Sequence, residues 1–220
     1  MAGIEHAPSP SGQLGHRIRG ARERKGLSLR KLAEELGISP SALSQIETGR
    51  SRPSVNTLYT IVSALGVSMD ALFLRDGEDA GAAGGRAANG RADWRVVRKA
   101  ARKAIDLDSG VRWERLNETG DHDVDFLFVT YEADGSSSAS GKLQRHAGRE
   151  YGLVVSGRLK VAIGFDEYEL EPGDAISFAS TDPHRLASLD GKRATAVWFV
   201  LGRRESNSSD GRGSGTGDPE

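Results

Sequence analysis

Cysteine is absent from all 220 residues, which excludes disulfides, thiolate zinc sites, iron–sulfur clusters and thiol nucleophiles. Long apolar runs are missing too. None approaches the ~18 residues of a membrane span, and the opening stretch MAGIEHAPSPSGQ has no signal-peptide hydrophobic region. These absences predict a soluble, cytoplasmic protein. A dominant charge of either sign is also lacking, the net being −1. The charge is nevertheless uneven. Residues 1–75 hold ten Lys/Arg against six Asp/Glu, a net of +4, and residues 76–220 hold twenty against twenty-five, a net of −5. A basic front joined to an acidic back points to a polyanionic partner for the front alone, the alternative being compositional noise. What is present is ordinary for a globular protein: 37% hydrophobic and 28% charged residues, in a length that suits two domains of roughly 100–150 residues.

The organisation changes along the chain. Residues 1–11, with Pro8 and Pro10, read as a flexible lead-in. From 12 to 75 the pattern is helical and the segments are short. Leu14, Ile18 and Ala21 recur at helical spacing, as do Leu29, Leu32, Ala33 and Leu36, and then Leu58, Ile61, Val62 and Leu65. Gly26, Gly37, Gly49 and Gly66 sit where helices would end, and Ser28, Ser39, Ser54 and Ser68 where they would be capped. Pro40 falls at a first helical position, where it is tolerated. Five helices result. Residues 76–93 are a linker, eleven of the eighteen being Gly or Ala. From 94 to 202 short β-branched and aromatic runs cut by Gly, Asp and Pro predict antiparallel strands, at 124–132, 150–157, 158–164 and 194–202. Trp113, Phe126, Phe128, Trp198 and Phe199 are expected in that core. Residues 203–220 are polar and Gly/Ser-rich, and are expected to be disordered.

Two motifs carry chemistry. In SLRKLAEELGISPSALSQIETGR (28–50) one helix packs through Leu29, Leu32 and Leu36. A tight turn follows at Gly37-Ile38-Ser39, and the next helix buries Leu43 and Ile46 while Ser41, Ser44 and Gln45 face outward. A bracing helix followed by a presented one is the helix-turn-helix arrangement, in which Gln can bond bidentately to adenine and Ser to several base edges. The stretch resembles the DNA-binding domain of Cro/CI repressors, the XRE family, through Leu32-Ala33, Gly37-Ile38-Ser39, Glu47, Gly49, Pro53 and Ser54. The resemblance implies a five-helix fold. It places Ser41, Ser44 and Gln45 against bases, with Ser39 among the DNA-contacting residues, and Arg50 and Arg52 against phosphates. Leu29 stands where many members have a phosphate-gripping Gln, so that contact is not carried over. Arg17, Arg19, Arg22, Arg24 and Lys25 either add sequence-independent attraction to phosphate or form a solvated basic face.

The second motif joins QRHAGREYGLVVSG (144–157) to LEPGDAISFASTDPHRLAS (170–188). Gln144 and His146, two apart on an expected strand, point the same way; Glu150 follows a turn, and His184 comes from a distant strand. Two imidazoles and a carboxylate are the donors of a 2-His-1-carboxylate site. The run resembles the cupin family through His146, Glu150, Gly157, Pro172-Gly173-Asp174 and Pro183-His184, with Gln144 in place of the first motif's leading His. The resemblance implies an antiparallel jelly-roll barrel holding a divalent metal (Fe, Mn, Ni or Zn) on His146, Glu150, His184 and Gln144; a metal-free pocket lined by the same groups is the alternative. Arg145, Arg149 and Arg185 are expected on other faces.

The whole therefore reads as α + β, with an N-terminal five-helix helix-turn-helix bundle and a C-terminal cupin β-barrel. This order resembles bacterial one-component transcription regulators. It implies operator DNA, a small-molecule effector and a homodimer as partners, and no catalysis. The linker suggests that the head moves independently. The alternative is a mononuclear iron cupin oxygenase resembling hydroxypropylphosphonate epoxidase, which shares the domain order and the two-His, one-Glu iron site.

Overall fold

The computed structural model describes residues 10–73, 96–117, 124–138 and 140–202. The expected linker at 76–93, the expected tail at 203–220 and most of the expected lead-in lie outside the described residues. Five helices occupy the first stretch: α1 (Pro10–Arg24), α2 (Leu29–Glu35), α3 (Pro40–Glu47), α4 (Val55–Leu65) and α5 (Met69–Phe73). Helix α1 starts at Pro10, inside the stretch expected as lead-in. The N-caps are where the serines predict them. Ser28, Ser39 and Ser54 accept from the N–H groups of Lys31, Ala42 and Thr57, and Ser68 accepts from that of Ala71 at 3.4 Å. Gly66 ends α4 in the left-handed region at φ 66°.

Leu14, Ile18, Leu32, Ala33, Leu43, Leu58, Ile61 and Leu65 are all buried and form the helical core. Two features fix how α1 crosses α3. Gly15 lies flush on the last turn of α3, where a Cβ would fall 2.3 Å from the Ile46 carbonyl oxygen and 2.6 Å from that of Glu47. Nearby, the Arg22 guanidinium forks onto Glu47, Nε donating to Oε1 at 2.6 Å and an NH2 group to Oε2 at 2.9 Å. Both side chains are buried, and the two hydrogen bonds are what make burying that charge tolerable.

Among the described residues the second domain opens with a 3₁₀ turn (Lys99–Ala101) and continues as nine strands. They are β1 (Ala104–Asp106), β2 (Val111–Arg115), β3 (Val124–Tyr131), β4 (Arg149–Ser156), β5 (Leu159–Ile163), β6 (Asp166–Leu170), β7 (Ala175–Ala179), β8 (His184–Ser188) and β9 (Ala194–Leu201). They form two antiparallel sheets, of order β1-β2-β3-β9-β4-β7 and β6-β5-β8. Single bridges from Ser136 to Ala187 and from Gln144 to His184 add to the edge of the smaller sheet, and no ladder closes the two sheets on each other among the described residues. Trp113, Leu127, Val129, Val161, Phe178, Leu186 and Trp198 are buried in the core. Phe126 and Phe199, expected there, instead stack on each other at 4.2 Å on the opposite face of the large sheet. The period of two explains this, since neighbouring Leu127 and Trp198 take the inward positions.

The two domains touch. The Asp108 N–H donates to the Pro53 carbonyl at 2.9 Å, the Arg115 guanidinium lies 5.7 Å from the centre of the Phe73 ring, and Tyr59 of α4 lies against Trp113, with ring centres 5.5 Å apart. The linker composition suggests a free head; the described residues place that head in contact with the cupin-like sheets.

Gly15→Ala is expected to destabilise the protein by about 1–3 kcal/mol, because the methyl meets backbone oxygens that cannot step aside. Gly20→Ala in the same helix meets only the end of the Arg24 side chain, at 3.3 Å, and is expected to be neutral or slightly stabilising. Thermal unfolding of the two variants checks the contrast.

Candidate metal centre and nucleic-acid face

The second-motif residues are brought together. Glu150 projects from β4, His184 from the first position of β8, and His146 and Gln144 from the segment before β4. Contrary to the strand expected from their spacing, Gln144 makes only an isolated bridge to His184 and His146 follows outside any strand. The Gln144 N–H donates to the His184 carbonyl at 2.8 Å and the Gln144 carbonyl accepts from the His184 N–H at 2.9 Å, so the side chains meet despite the missing strand.

The donor atoms converge on one oxygen. His146 Nε2 lies 2.9 Å and His184 Nε2 3.1 Å from Glu150 Oε1. Each imidazole uses its other nitrogen elsewhere: Nδ1 of His146 on the Ala147 carbonyl at 3.0 Å, and Nδ1 of His184 on the Asp182 carbonyl at 2.8 Å. Carbonyls only accept, so both Nδ1 atoms carry the proton and a neutral ring presents a lone pair at Nε2. Oε1 of Glu150, Nε2 of His146 and Oε1 of Gln144 are all buried without a hydrogen-bond partner. With a neutral His146 ring, Glu150 Oε1 and His146 Nε2 are buried acceptors facing each other, which is costly unless a cation lies between them. Their separation is also that of neighbouring ligands around a small ion with bonds of ~2.1 Å. The cluster of His146, Glu150 and His184 could hold a metal ion. Gln144 Nε2 sits 3.1 Å from His184 Nε2, and an amide flip turns its oxygen toward the same centre.

The remaining Glu150 oxygen is claimed by a residue that sequence reasoning assigned only to the core. Trp198 of β9 donates from Nε1 to Glu150 Oε2 at 2.6 Å. Its indole fits because the facing residue is Gly152, where a Cβ would fall 1.9 Å from the ring. A glycine inside a strand marks such a close approach, though not which side chain makes it. Burial pushes the Glu150 carboxyl up, but contacts with His146 and His184 outweigh it and hold the group well below the ordinary glutamate range. An ionised Glu150 therefore favours folding at neutral pH, and that contribution is lost as pH falls below the ordinary value of 4.5 toward the depressed one. Burial, the Glu150 charge and Tyr59 push the nearby Tyr131 phenol up, so it stays neutral.

Tyr59 was also missed. It is 8% exposed, and its ring lies 4.1 Å from that of His146, tilted by 33°. Among the aromatic contacts of the cluster, Phe178 and Trp198 come from the cupin sheets, and Tyr59 comes from the helical domain.

On the helical domain, α3 buries Leu43, Ile46 and Glu47 and turns Ser41 and Gln45 outward; Ser44 is half-buried, and Arg50 and Arg52 are exposed in the loop after it. Ser39 is exposed, with its hydroxyl accepting from the Ala42 N–H at 3.1 Å. Four of the five basic residues read as a possible phosphate-attracting face have partners within the domain. Arg17 donates to the Leu72 carbonyl, Arg19 to Glu23, Arg22 to Glu47, and Lys25 to the Ala64 carbonyl.

Comparison with known proteins separates the two parts in the same way. A helix-turn-helix family model matches residues 18–72 and a cupin domain model matches residues 127–200. The HTH-type transcriptional regulator PuuR of Escherichia coli (strain K12) is 25% identical over 79% of this chain and 86% of its own length. The uncharacterized HTH-type transcriptional regulator Rv0474 of Mycobacterium tuberculosis is 45% identical over 27% of this chain and 43% of its own. Among solved structures, an HTH_3 family transcriptional regulator from Vibrio cholerae covers 88% of this chain and 97% of its own, at 24% identity and a TM-score of 0.61, which establishes likeness of fold.

Metal loading is expected to be stoichiometric after purification without chelator, and lost in His146→Ala and His184→Ala. It should weaken on acidification, because only neutral rings and an ionised carboxylate ligate the ion. Metal analysis and titration against pH check this. The chain carries a helix-turn-helix domain at residues 18–72 followed by a cupin domain at residues 127–200.

Proposed function

We propose that the chain is a sequence-specific DNA-binding transcription regulator whose cupin domain senses a small molecule through a bound divalent ion. The observation that carries this reading is the division of α3: one face is buried, while Ser41 and Gln45 stand exposed beside Arg50 and Arg52. A recognition helix works in this way, side chains near its N-terminus reading base edges and neighbouring cations fixing the register on phosphates. Gln45, Ser41 and Ser44 take the base contacts and Arg50 and Arg52 the phosphates. Ser39 lies at the same surface as the cap of the helix.

In the cupin domain, which we read as a jelly-roll barrel, His146, Glu150 and His184 hold the ion, of Fe, Mn, Ni or Zn type, with Gln144 as a fourth, neutral donor. Bound there, the ion supplies a Lewis-acid centre that a carboxylate- or hydroxyl-bearing metabolite can reach. The residues around it orient the imidazoles through carbonyl acceptors and hold Glu150 through Trp198. An iron oxygenase using the same triad is the second reading; the fused and exposed recognition helix favours the regulator.

The working form is a homodimer, since one short helix reads too few bases to be selective. Its support is the outer face of the large sheet, where Tyr151, Leu153 and Val155 of β4 are exposed beside the Phe126–Phe199 stack. An apolar face of this kind fits a second copy of itself in a two-fold dimer. The site of action is the cytoplasm.

Gln45→Ala is expected to cost ~1–3 kcal/mol on the preferred sequence and to relax the preference at one position. Arg50→Ala should weaken binding to all sequences alike and reduce the slope of affinity against salt by about one. Binding measured against a panel of sequences at several salt concentrations separates the two, and unchanged preference in Gln45→Ala would refute this register of the recognition helix.

A further inference from the structure

The metal cluster of the cupin domain is walled on one side by the DNA-binding domain. Tyr59 lies one turn into α4, and its ring covers His146 at 4.1 Å while touching Trp113 at 5.5 Å. His146 is thus fixed from three directions: Nδ1 by the Ala147 carbonyl, Nε2 by its approach to Glu150, and the ring itself by Tyr59. The contact is well placed to reach the DNA surface. One turn before Tyr59, α4 begins at Val55, capped by Ser54. Pro53, whose carbonyl accepts from Asp108, comes next, and then Arg52 and Arg50.

We propose that Tyr59 is the coupling residue between the two domains: a cation on His146, Glu150 and His184 seats the helical domain against the cupin domain through the Tyr59–His146 ring contact. The proposal rests on the reading of this cluster as a metal site. The physical reason is twofold. An ion drawing on the Nε2 lone pair locks the imidazole in the orientation that Tyr59 covers. It also withdraws electrons from the ring, which strengthens its attraction to the electron-rich face of a phenol. Linkage makes the effect reciprocal, so whatever holds the head in place also raises affinity for the ion.

The test is hydrogen exchange followed by mass spectrometry on the full chain, metal-free and with one equivalent of Zn²⁺, with native mass spectrometry reporting stoichiometry. Helix α4 supplies no donor to the cluster, so any change there is transmitted. In the wild type, exchange of the α4 amides is expected to slow by about five-fold or more on loading, within the usual range of coupling between sites. Tyr59→Phe, which keeps the ring, should retain the effect. Tyr59→Leu, which fills the space without a ring, should bind the ion and lose it. Wild-type protein that loads one ion with unchanged α4 exchange, or a Tyr59→Leu variant that responds like the wild type, overturns the coupling and leaves the metal site standing. Wild-type protein that loads no ion overturns both, and the stoichiometry tells that outcome apart.

Discussion

A buried carboxylate faced by two imidazole nitrogens is the constraint on which the rest of the second domain depends. Glu150 is 3% exposed, and its Oε1 lies 2.9 Å from Nε2 of His146 and 3.1 Å from Nε2 of His184. Several otherwise unrelated features become one arrangement in this light. The carbonyls of Ala147 and Asp182 choose the tautomers, Trp198 holds the second carboxylate oxygen, and Gly152 makes room for the indole. Such outer contacts orient ligands and tune a bound ion.

The first domain rests on a different kind of buried charge. Arg22 and Glu47 satisfy each other by two hydrogen bonds, and Gly15 lets α1 approach closely enough for them to meet. The effect is to fix α3 against α1 and so to fix which face of α3 remains exposed. The two domains then meet at Tyr59, an amphipathic ring whose body fills a space between helical and β surfaces. The contact between α4 and His146 joins the element that follows Arg50 and Arg52 in the chain to the His146–Glu150–His184 cluster.

Local signals were legible and distant contacts were not. Each predicted N-cap serine and helix-ending glycine acts within a few residues of itself, which is why all four caps are found in place. The clustering of His146, Glu150 and His184 was legible because their residue types and spacing are tied to one chemistry, although Gln144 and His146 reach it from outside a strand. Trp198 and Tyr59 were beyond reach for a common reason. A tryptophan in a strand, or a tyrosine at the edge of a helical apolar stripe, is satisfied equally well by any packed surface. What it touches is decided by elements far away in sequence. The reversal of Phe126 and Phe199 is a milder case, since alternation predicts two faces without saying which of them is covered.

The claim that this is a metal-responsive reader of DNA is tested most directly by selecting double-stranded sequences from a random pool with the full chain, metal-free and metal-loaded. The account predicts enrichment of an inverted repeat, its half-sites about one helical turn (~34 Å) apart, with retention that differs between the two forms. Recovery of unenriched DNA in both forms, from protein that nevertheless binds one ion and consumes O₂ with an organic substrate, would contradict it and identify the cluster as an oxygenase centre.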